Sequence, residues 1–231
     1  MKFGVVIFPG SNCDMDMVYV LETIMGGEVI KLWHKDTDLQ EVDFIILPGG
    51  FSFGDYLRSG AIAKFSPIMK EIIGFANAGG YVMGICNGFQ ILTESGLLPG
   101  ALLHNTSHKF ICKNVYLKAI TKNTLVTNSY SDNAIKIPIA HGEGKYFTDE
   151  STLQSIIEND QILFKYCDEN GKITKIISLS KSLSKSYFYY RINEPTYHTF
   201  IVKSDIFIFH ETTHGPFNKS DTLYAPWSPE E

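Results

Sequence analysis

Cys86 has the clearest potential for chemistry, because it stands between Gly84 and Gly88 at the end of an apolar run. A nucleophile on a tight turn from a strand into a helix has a strained backbone, tolerated when the residues two positions before and after it lack a Cβ. The N–H groups at the start of the helix lower the thiol pKa and form part of an oxyanion hole. The spacing therefore predicts a nucleophilic cysteine, and the alternative is a small buried cysteine used only for packing.

A second glycine-rich segment follows another apolar run and contains Gly49 and Gly50. Glycines allow backbone N–H groups to approach a reacting carbonyl closely, so this turn is expected to form the other half of the oxyanion hole. The alternative is a turn of structural use only. Neither a Walker A loop nor a G-x-G-x-x-G fingerprint follows the first strand, so the sequence does not indicate nucleotide binding by this chain.

The elements that must position these two segments follow the pattern of an α/β fold. Apolar runs predict strands at 2–8, 28–33, 43–47 and just before Cys86, and helical patterns cover 12–25 and 60–78. Alternation of strands and helices is typical of an open, mostly parallel sheet. Ligands in such sheets bind at the carboxyl ends of the strands, so the glycine turn and Cys86 are expected to meet there.

Composition excludes several classes of function. The chain of 231 residues has a formal net charge of −5 and no dense basic run, which argues against nucleic-acid binding. No apolar run is long enough to span a bilayer, so we expect no membrane insertion. The four cysteines are scattered without a C-x-x-C pair, which indicates neither a disulfide framework nor a metal site and favours a cytoplasmic location.

Six motifs in fixed order resemble those of one enzyme family. They are FPGSNCD at 8–14, LPGGFSFGDYLRSGAIA at 47–63, GICNGFQ at 84–90, LLPGAL at 97–102, IPIAHGEGKY at 137–146 and YCDENG at 166–171. Together they resemble the glutaminase subunit of phosphoribosylformylglycinamidine synthase, a class I glutamine amidotransferase family of purine biosynthesis. The resemblance implies a flavodoxin-like sheet with helices on both faces, over residues 1 to about 171.

The resemblance also implies a reaction and a set of site residues. Glutamine would be hydrolysed to glutamate and ammonia, with Cys86 forming a thioester to the side-chain carbonyl carbon. Gln90 would help to seat the substrate, and the loop 141–144 would border the glutamine pocket. The oxyanion and substrate-binding positions implied in this way are Gly49, Gly50, Asn87, Gln90 and Gly142.

Partners follow from the same resemblance. Ammonia would pass to a large synthase subunit that uses ATP and magnesium, and a short third subunit would complete the assembly. The substrate of this chain would be L-glutamine. We expect no cofactor and no metal in the chain itself.

The C-terminal quarter departs from the family pattern. The family completes its triad with a His-Pro-Glu segment, which this sequence lacks, and only Gly215 of its 19 glycines lies beyond residue 171. We therefore divide the chain into an amidotransferase domain, residues 1–171, and a divergent tail, residues 172–231. One hypothesis is that a frameshift replaced the native tail and left a segment that folds poorly. Translating the other two reading frames of the coding DNA from codon 165 onward tests this hypothesis. The alternative function is a catalytically dead module that still binds the synthase.

The remaining histidines offer weak alternatives for the missing base. His141 has Glu143 two positions on, but the resemblance puts this pair in the pocket loop, and His198 is an equally weak substitute. The segment His210–His214 matches H-E-x-x-H, yet its strand-like flank and the following Gly-Pro disfavour the helix that a zinc site needs. Three further histidines, His34, His104 and His108, are expected on the surface or in loops.

Overall fold

The computed structural model describes residues 1–122 and 124–173. The strands of this part are β1 (Lys2–Ile7), β2 (Glu28–Trp33), β3 (Phe44–Leu47), β4 (Tyr81–Gly84), β5 (Ala101–Leu103), β6 (Ile111–Ala119), β7 (Ile135–His141), β8 (Lys145–Phe147) and β9 (Phe164–Cys167). Its α-helices are α1 (Asp14–Tyr19), α2 (Pro67–Asn77), α3 (Asn87–Glu94) and α4 (Glu150–Glu158).

The central sheet has four parallel strands in the order β2-β1-β3-β4. Its inner strands are runs of apolar residues, and all four residues of β3 are buried. Such runs are typical of strands covered on both faces, whereas a strand with one wet face would alternate. The predicted α/β class with a mostly parallel sheet is therefore confirmed.

Helices pack on both faces of this sheet. On one face, Met17, Val18 and Leu21 from the first helical segment pack against side chains of β1 and β3. On the other, apolar residues of α2 and α3 pack against the opposite side chains of the same strands, and Ile68, Met69, Ile72 and Ile91 are fully buried there. Packing of α3 on this second face places its start, next to Cys86, at the carboxyl end of the sheet.

The predicted helix over 60–78 is wrong in its first part. A short 3₁₀ turn covers Ala63–Phe65, and α2 begins only at Pro67. Ser66 has an extended ψ of 139°, as expected for a residue whose backbone meets the ring of a following proline. The predicted helix over 12–25 is closer, since α1 continues as a π-helical turn, Val20–Ile24.

Two antiparallel sheets lie beyond the parallel sheet, and we did not predict them. One pairs β5 with β8, and the other has the order β7-β6-β9. Within residues 1–122 and 124–173, no helix is long and apolar enough to cross a membrane.

His34 lies in the turn after β2, within the expectation of a surface or loop position, but it is buried. This residue follows β2 and is only 6% exposed, with its ring edge-on to Phe53 and its Nδ1 3.4 Å from the hydroxyl of Ser66. Burial, followed by the charge of Lys35, lowers its pKa. His34 is therefore a packing residue beneath the start of α2.

Candidate active site

Cys86 joins β4 to α3 in a backbone conformation that few non-glycine residues adopt. Its φ is 53° and its ψ is −111°. Hydrogen bonds hold the turn on both sides, because the Ile85 N–H donates to the Leu47 carbonyl (2.9 Å) and the Gln90 N–H donates to the Cys86 carbonyl (3.0 Å). Cys86 is only 6% exposed. The backbone thus has the strained strand-to-helix geometry that the glycine spacing predicts.

The two glycines that flank Cys86 are required by close backbone contacts. A Cβ on Gly84 would lie 2.5 Å from the carbonyl oxygen of Gly88. A Cβ on Gly88 would overlap the carbonyl oxygen of Leu47 in β3. Interiors are packed too densely to absorb such overlaps, so a larger residue would push α3 away from the sheet.

The turn at Gly49 and Gly50 lies just beyond the carboxyl end of β3. Gly50 has a φ of 121°, and a Cβ there would lie 2.6 Å from the backbone nitrogen of Asn12. The next residue, Phe51, donates its N–H to the carbonyl of Gly10 (3.0 Å). The turn is therefore fixed against the loop that follows β1, as the predicted topology requires.

Asn87 connects the glycine-rich loop to the start of α3. Its side chain is fully buried, and its Oδ1 accepts a hydrogen bond from the N–H of Ser52 (3.0 Å). Its Nδ2 donates to Asp55 Oδ1 (3.0 Å) and to Gln90 Oε1 (3.0 Å). The Asn87 side chain thus ties the start of α3, directly after Cys86, to the loop that follows Gly50.

Gln90 extends this network to the loop that contains Gly142. Its Nε2 donates to the carbonyl oxygen of Glu143 (3.2 Å). The Glu143 carboxylate accepts the N–H of Ser59 (3.1 Å) and lies 3.4 Å from His104 Nε2. The residues selected from the sequence, Cys86, Gly49, Gly50, Asn87, Gln90 and Gly142, therefore lie on segments that one hydrogen-bond network connects.

His141 and Glu143 do not form a dyad in this arrangement. The amide nitrogen of Asn105 donates to the carbonyls of Lys109 (2.9 Å) and His141 (2.6 Å), so its oxygen is the acceptor facing His141 Nδ1 at 2.7 Å. That contact requires the proton of a neutral imidazole to be on Nδ1. Glu143 meets His104 instead. We did not predict the role of Asn105, because no motif in the sequence indicates a contact 36 residues away.

Asp55 is a further polar residue of the site that we did not select from the sequence. Burial, the largest effect, raises the pKa of its carboxyl to about 6, and the charge of Glu143 adds to the rise. Hydrogen bonds from the side chains of Ser59 and Asn87 act in the opposite direction. In the sequence, a Gly-Asp pair in a glycine-rich loop indicates only a turn. Asp55 could not be selected because the sequence does not show that its side chain is partly buried.

A cavity of about 1000 Å³ opens beside β4 and reaches Cys86. Its lining is mostly apolar and includes Val82, Phe89 and Phe164. Neither Gly50 nor Gln90 is among the described lining residues, so the cavity and the polar network meet at the cysteine.

No cluster of three or more potential metal ligands occurs in the described part of the chain. The H-E-x-x-H segment His210–His214 and His198 lie outside the described residues. Of the predicted tail, residues 172–231, only Lys172 and Ile173 lie within them.

Comparison with known proteins places these features in a family. The model of the CobB/CobQ-like glutamine amidotransferase domain matches residues 1–182. The phosphoribosylformylglycinamidine synthase subunit PurQ of Trichormus variabilis is 54% identical over 182 residues, which are 78% of this chain and 81% of the relative. The subunit of the same name from Moorella thermoacetica is 53% identical over 175 residues, covering 75% of this chain and 74% of the relative.

Solved structures agree with the sequence relatives. A chain in the structure of PurLQS from Thermotoga maritima is 45% identical and superposes with a TM-score of 0.63. The match covers 74% of this chain and 77% of that chain.

Proposed function

The chain belongs to the CobB/CobQ-like glutamine amidotransferase family, and from this premise we propose that its Cys86 site hydrolyses the side-chain amide of glutamine. Its relatives at 53–54% identity are PurQ subunits of phosphoribosylformylglycinamidine synthase, so the chain is a glutaminase subunit of the purine biosynthesis type. The observation that carries the proposed site is the strained turn at Cys86, with a φ of 53° at the start of α3.

The proposed reaction proceeds in two steps. The Cys86 thiolate attacks the side-chain carbonyl carbon of glutamine, a C–S bond forms, the C–N bond breaks, and the nitrogen leaves as ammonia after gaining a proton. Water then attacks the thioester carbonyl carbon, the C–S bond breaks, glutamate is released, and a proton from the water restores the thiol. Negative charge collects on the carbonyl oxygen in both steps, and backbone N–H donors fixed in advance stabilise it.

We assign the site residues as follows. The N–H groups of the Gly49–Gly50 turn and of Asn87 stabilise the oxyanion, since the Ser52–Asn87 hydrogen bond of 3.0 Å ties these two segments together. Gln90 and the loop at Gly142 position the substrate, a role supported by the contact from Gln90 Nε2 to Glu143.

Ammonia leaves this site for a second protein. We propose a large synthase subunit that uses ATP and magnesium as the acceptor, with a short third subunit in the assembly. The similarity to a chain of the PurLQS structure supports this arrangement. We also propose that residues 1–171 form the amidotransferase domain and that residues 172–231 are a divergent tail.

A second candidate function is a synthase-binding module without turnover. The observation that favours it is the absence of a His-Pro-Glu segment anywhere in the 231 residues. A thiol nucleophile needs a general base and a proton donor for the leaving amine, which this segment supplies in the family that the chain resembles.

Glutamate release in the presence of the large and short synthase subunits tests both candidates. For the glutaminase, we expect Cys86→Ala to abolish release, a loss on the order of 10³-fold or more, because no second nucleophile replaces the thiol. Cys112→Ala is the matched control, since Cys112 is a half-buried free cysteine in β6.

Unchanged release by Cys86→Ala would contradict the glutaminase assignment. A wild-type chain that binds the synthase and is alkylated at Cys86, yet releases no glutamate, would support the binding module instead.

A further inference from the structure

The side-chain amide of Asn87 has only one orientation that satisfies its partners. Its Oδ1 accepts from the N–H of Ser52, so its Nδ2 must donate to the two remaining partners, Asp55 Oδ1 and Gln90 Oε1. Asn87 is the first residue of α3, so these hydrogen bonds anchor the start of the helix directly after Cys86.

Asp55 holds the Asn87 amide from a loop under strain. The backbone of Asp55 is left-handed, with a φ of 53°, and Phe53 and Leu57 on either side share that conformation at 54° and 72°. A left-handed non-glycine residue costs on the order of 1 kcal/mol or more, so three of them in five residues need compensation elsewhere in the structure.

The carboxylate is also an expensive group at this place. It is partly buried, it lies near the charge of Glu143, and its pKa is raised to about 6. A group that lowers stability and lies beside a reaction centre is more consistent with a role in function than with a role in folding.

We propose that Asp55 is a positioning residue, which acts through Asn87 to hold the start of α3 and the Gly49–Gly50 turn in the geometry that activates Cys86. This proposal rests on the proposed function of Cys86 as a nucleophile. Asp55 itself does not touch the substrate in this account. It sets the direction of the N–H groups that face the sulfur and the oxyanion.

The rate of Cys86 alkylation by iodoacetamide at about pH 7 tests the proposal without requiring turnover. Asp55→Asn removes the charge but retains an acceptor for Asn87, whereas Asp55→Ala and Asp55→Gly remove both. Glycine also relieves the left-handed backbone strain, so at least one of these two variants should fold as the wild type does. Peptide mass spectrometry reports the rate at Cys86, and the half-buried Cys112 is the internal control.

We expect Cys86 in Asp55→Ala and Asp55→Gly to react about 3-fold to 10-fold more slowly than in Asp55→Asn, with Cys112 unchanged, because a misdirected helix start raises the thiol pKa. Equal rates in the three variants would overturn the proposal. Faster alkylation in the alanine and glycine variants would also overturn it, since a loosened structure exposes a buried thiol.

Failure of the proposed function gives a different result. If glutamate release survives Cys86→Ala, the assignment of Cys86 as the nucleophile is rejected, whatever the alkylation rates of the Asp55 variants are. Loss of release in Cys86→Ala together with equal alkylation rates in the Asp55 variants rejects the positioning role alone.

Discussion

At the scale of single residues, Asp55 makes stability depend on pH. Its pKa is about 6 in the folded chain and near 3.8 when exposed, so the folded state favours the protonated carboxyl. The stability that this preference contributes is complete below about pH 4 and is lost as the pH rises through about 6. Above that pH the folded chain contains a partly buried Asp55 carboxylate beside Glu143, Ser59 and Asn87. Unfolding exposes this carboxylate to water, which favours the unfolded state.

Asp55→Asn should therefore stabilise the folded chain by about 1–3 kcal/mol at about pH 8, with a smaller gain at about pH 5. Urea unfolding at the two pH values measures the difference. Asp38→Asn is the control for the loss of one charge, because Asp38 is exposed. A gain from Asp55→Asn that does not change with pH would contradict the assigned burial effect.

Sequence reasoning identified the backbone of the site better than its polar contacts. The turn at Cys86 could be predicted because a strained φ and close packing leave only glycine possible at 84 and 88. The contacts of Asp55 and Asn105 could not be predicted, because each depends on a partner more than 30 residues away. The burial of His34 in its turn could not be predicted for the same reason, since a histidine after a strand has no local signal of what will cover it.

At the scale of elements, the contact between α3 and the sheet depends on the lack of a side chain at Gly88. We expect Gly88→Ala to lower the free energy of unfolding by about 3 kcal/mol or more, because its Cβ would overlap the Leu47 carbonyl and cannot relax without moving α3. Thermal or urea unfolding measures the loss.

The matched control is Gly74→Ala in α2, where a Cβ has nothing within 4 Å. That change should stabilise the chain by about 0.5–1 kcal/mol, since alanine has the higher helix propensity. A similar response of both variants would show that the approach of α3 to β3 is not as close as described.

The parallel strands were predictable and the antiparallel ones were not, for a physical reason. Runs such as Phe44–Leu47 are apolar at every position because both faces are covered, and that pattern is visible locally. The pairing of β6 with β9 joins Ala119 to Phe164, and local periodicity does not specify a partner so far along the chain. Helix α2 begins at Pro67 and not at residue 60 as predicted, because the residue before a proline disfavours helical backbone whatever the apolar periodicity.

At the scale of the whole molecule, the sequence motifs and the fold lead to the same family. The resemblance rests on motifs in the first 171 residues, and the family model matches residues 1–182. The parallel sheet brings the loops after β3 and β4 together at one edge, and hydrogen bonds from Asn87 and Gln90 connect them to each other and to the loop between β7 and β8. We expect the proposed synthase subunit to bind near that edge, because ammonia formed there needs an acceptor close by.

The hydrogen bonds around Asn87 also determine how the protein should age. An asparagine followed by glycine is prone to deamidation, in which the next backbone nitrogen attacks the side-chain amide and closes a five-membered ring. In the folded chain the Asn87 amide is fully buried and is held by Ser52, Asp55 and Gln90, so it cannot turn toward the Gly88 nitrogen and ring closure is blocked. Asn170 also precedes a glycine, and the Gly171 N–H likewise donates to a carbonyl, that of Asp168 (3.0 Å), but the Asn170 side chain is exposed and can rearrange.

Storage at mildly alkaline pH should therefore convert Asn170 in the folded protein and spare Asn87, whereas both should convert in urea. Peptide mass spectrometry distinguishes the two sites, and equal conversion in the folded protein would contradict this protection. A deamidated Asn87 would present a carboxylate to Asp55 in place of a donor. The fold thus protects the site from slow chemical damage for as long as the chain stays folded.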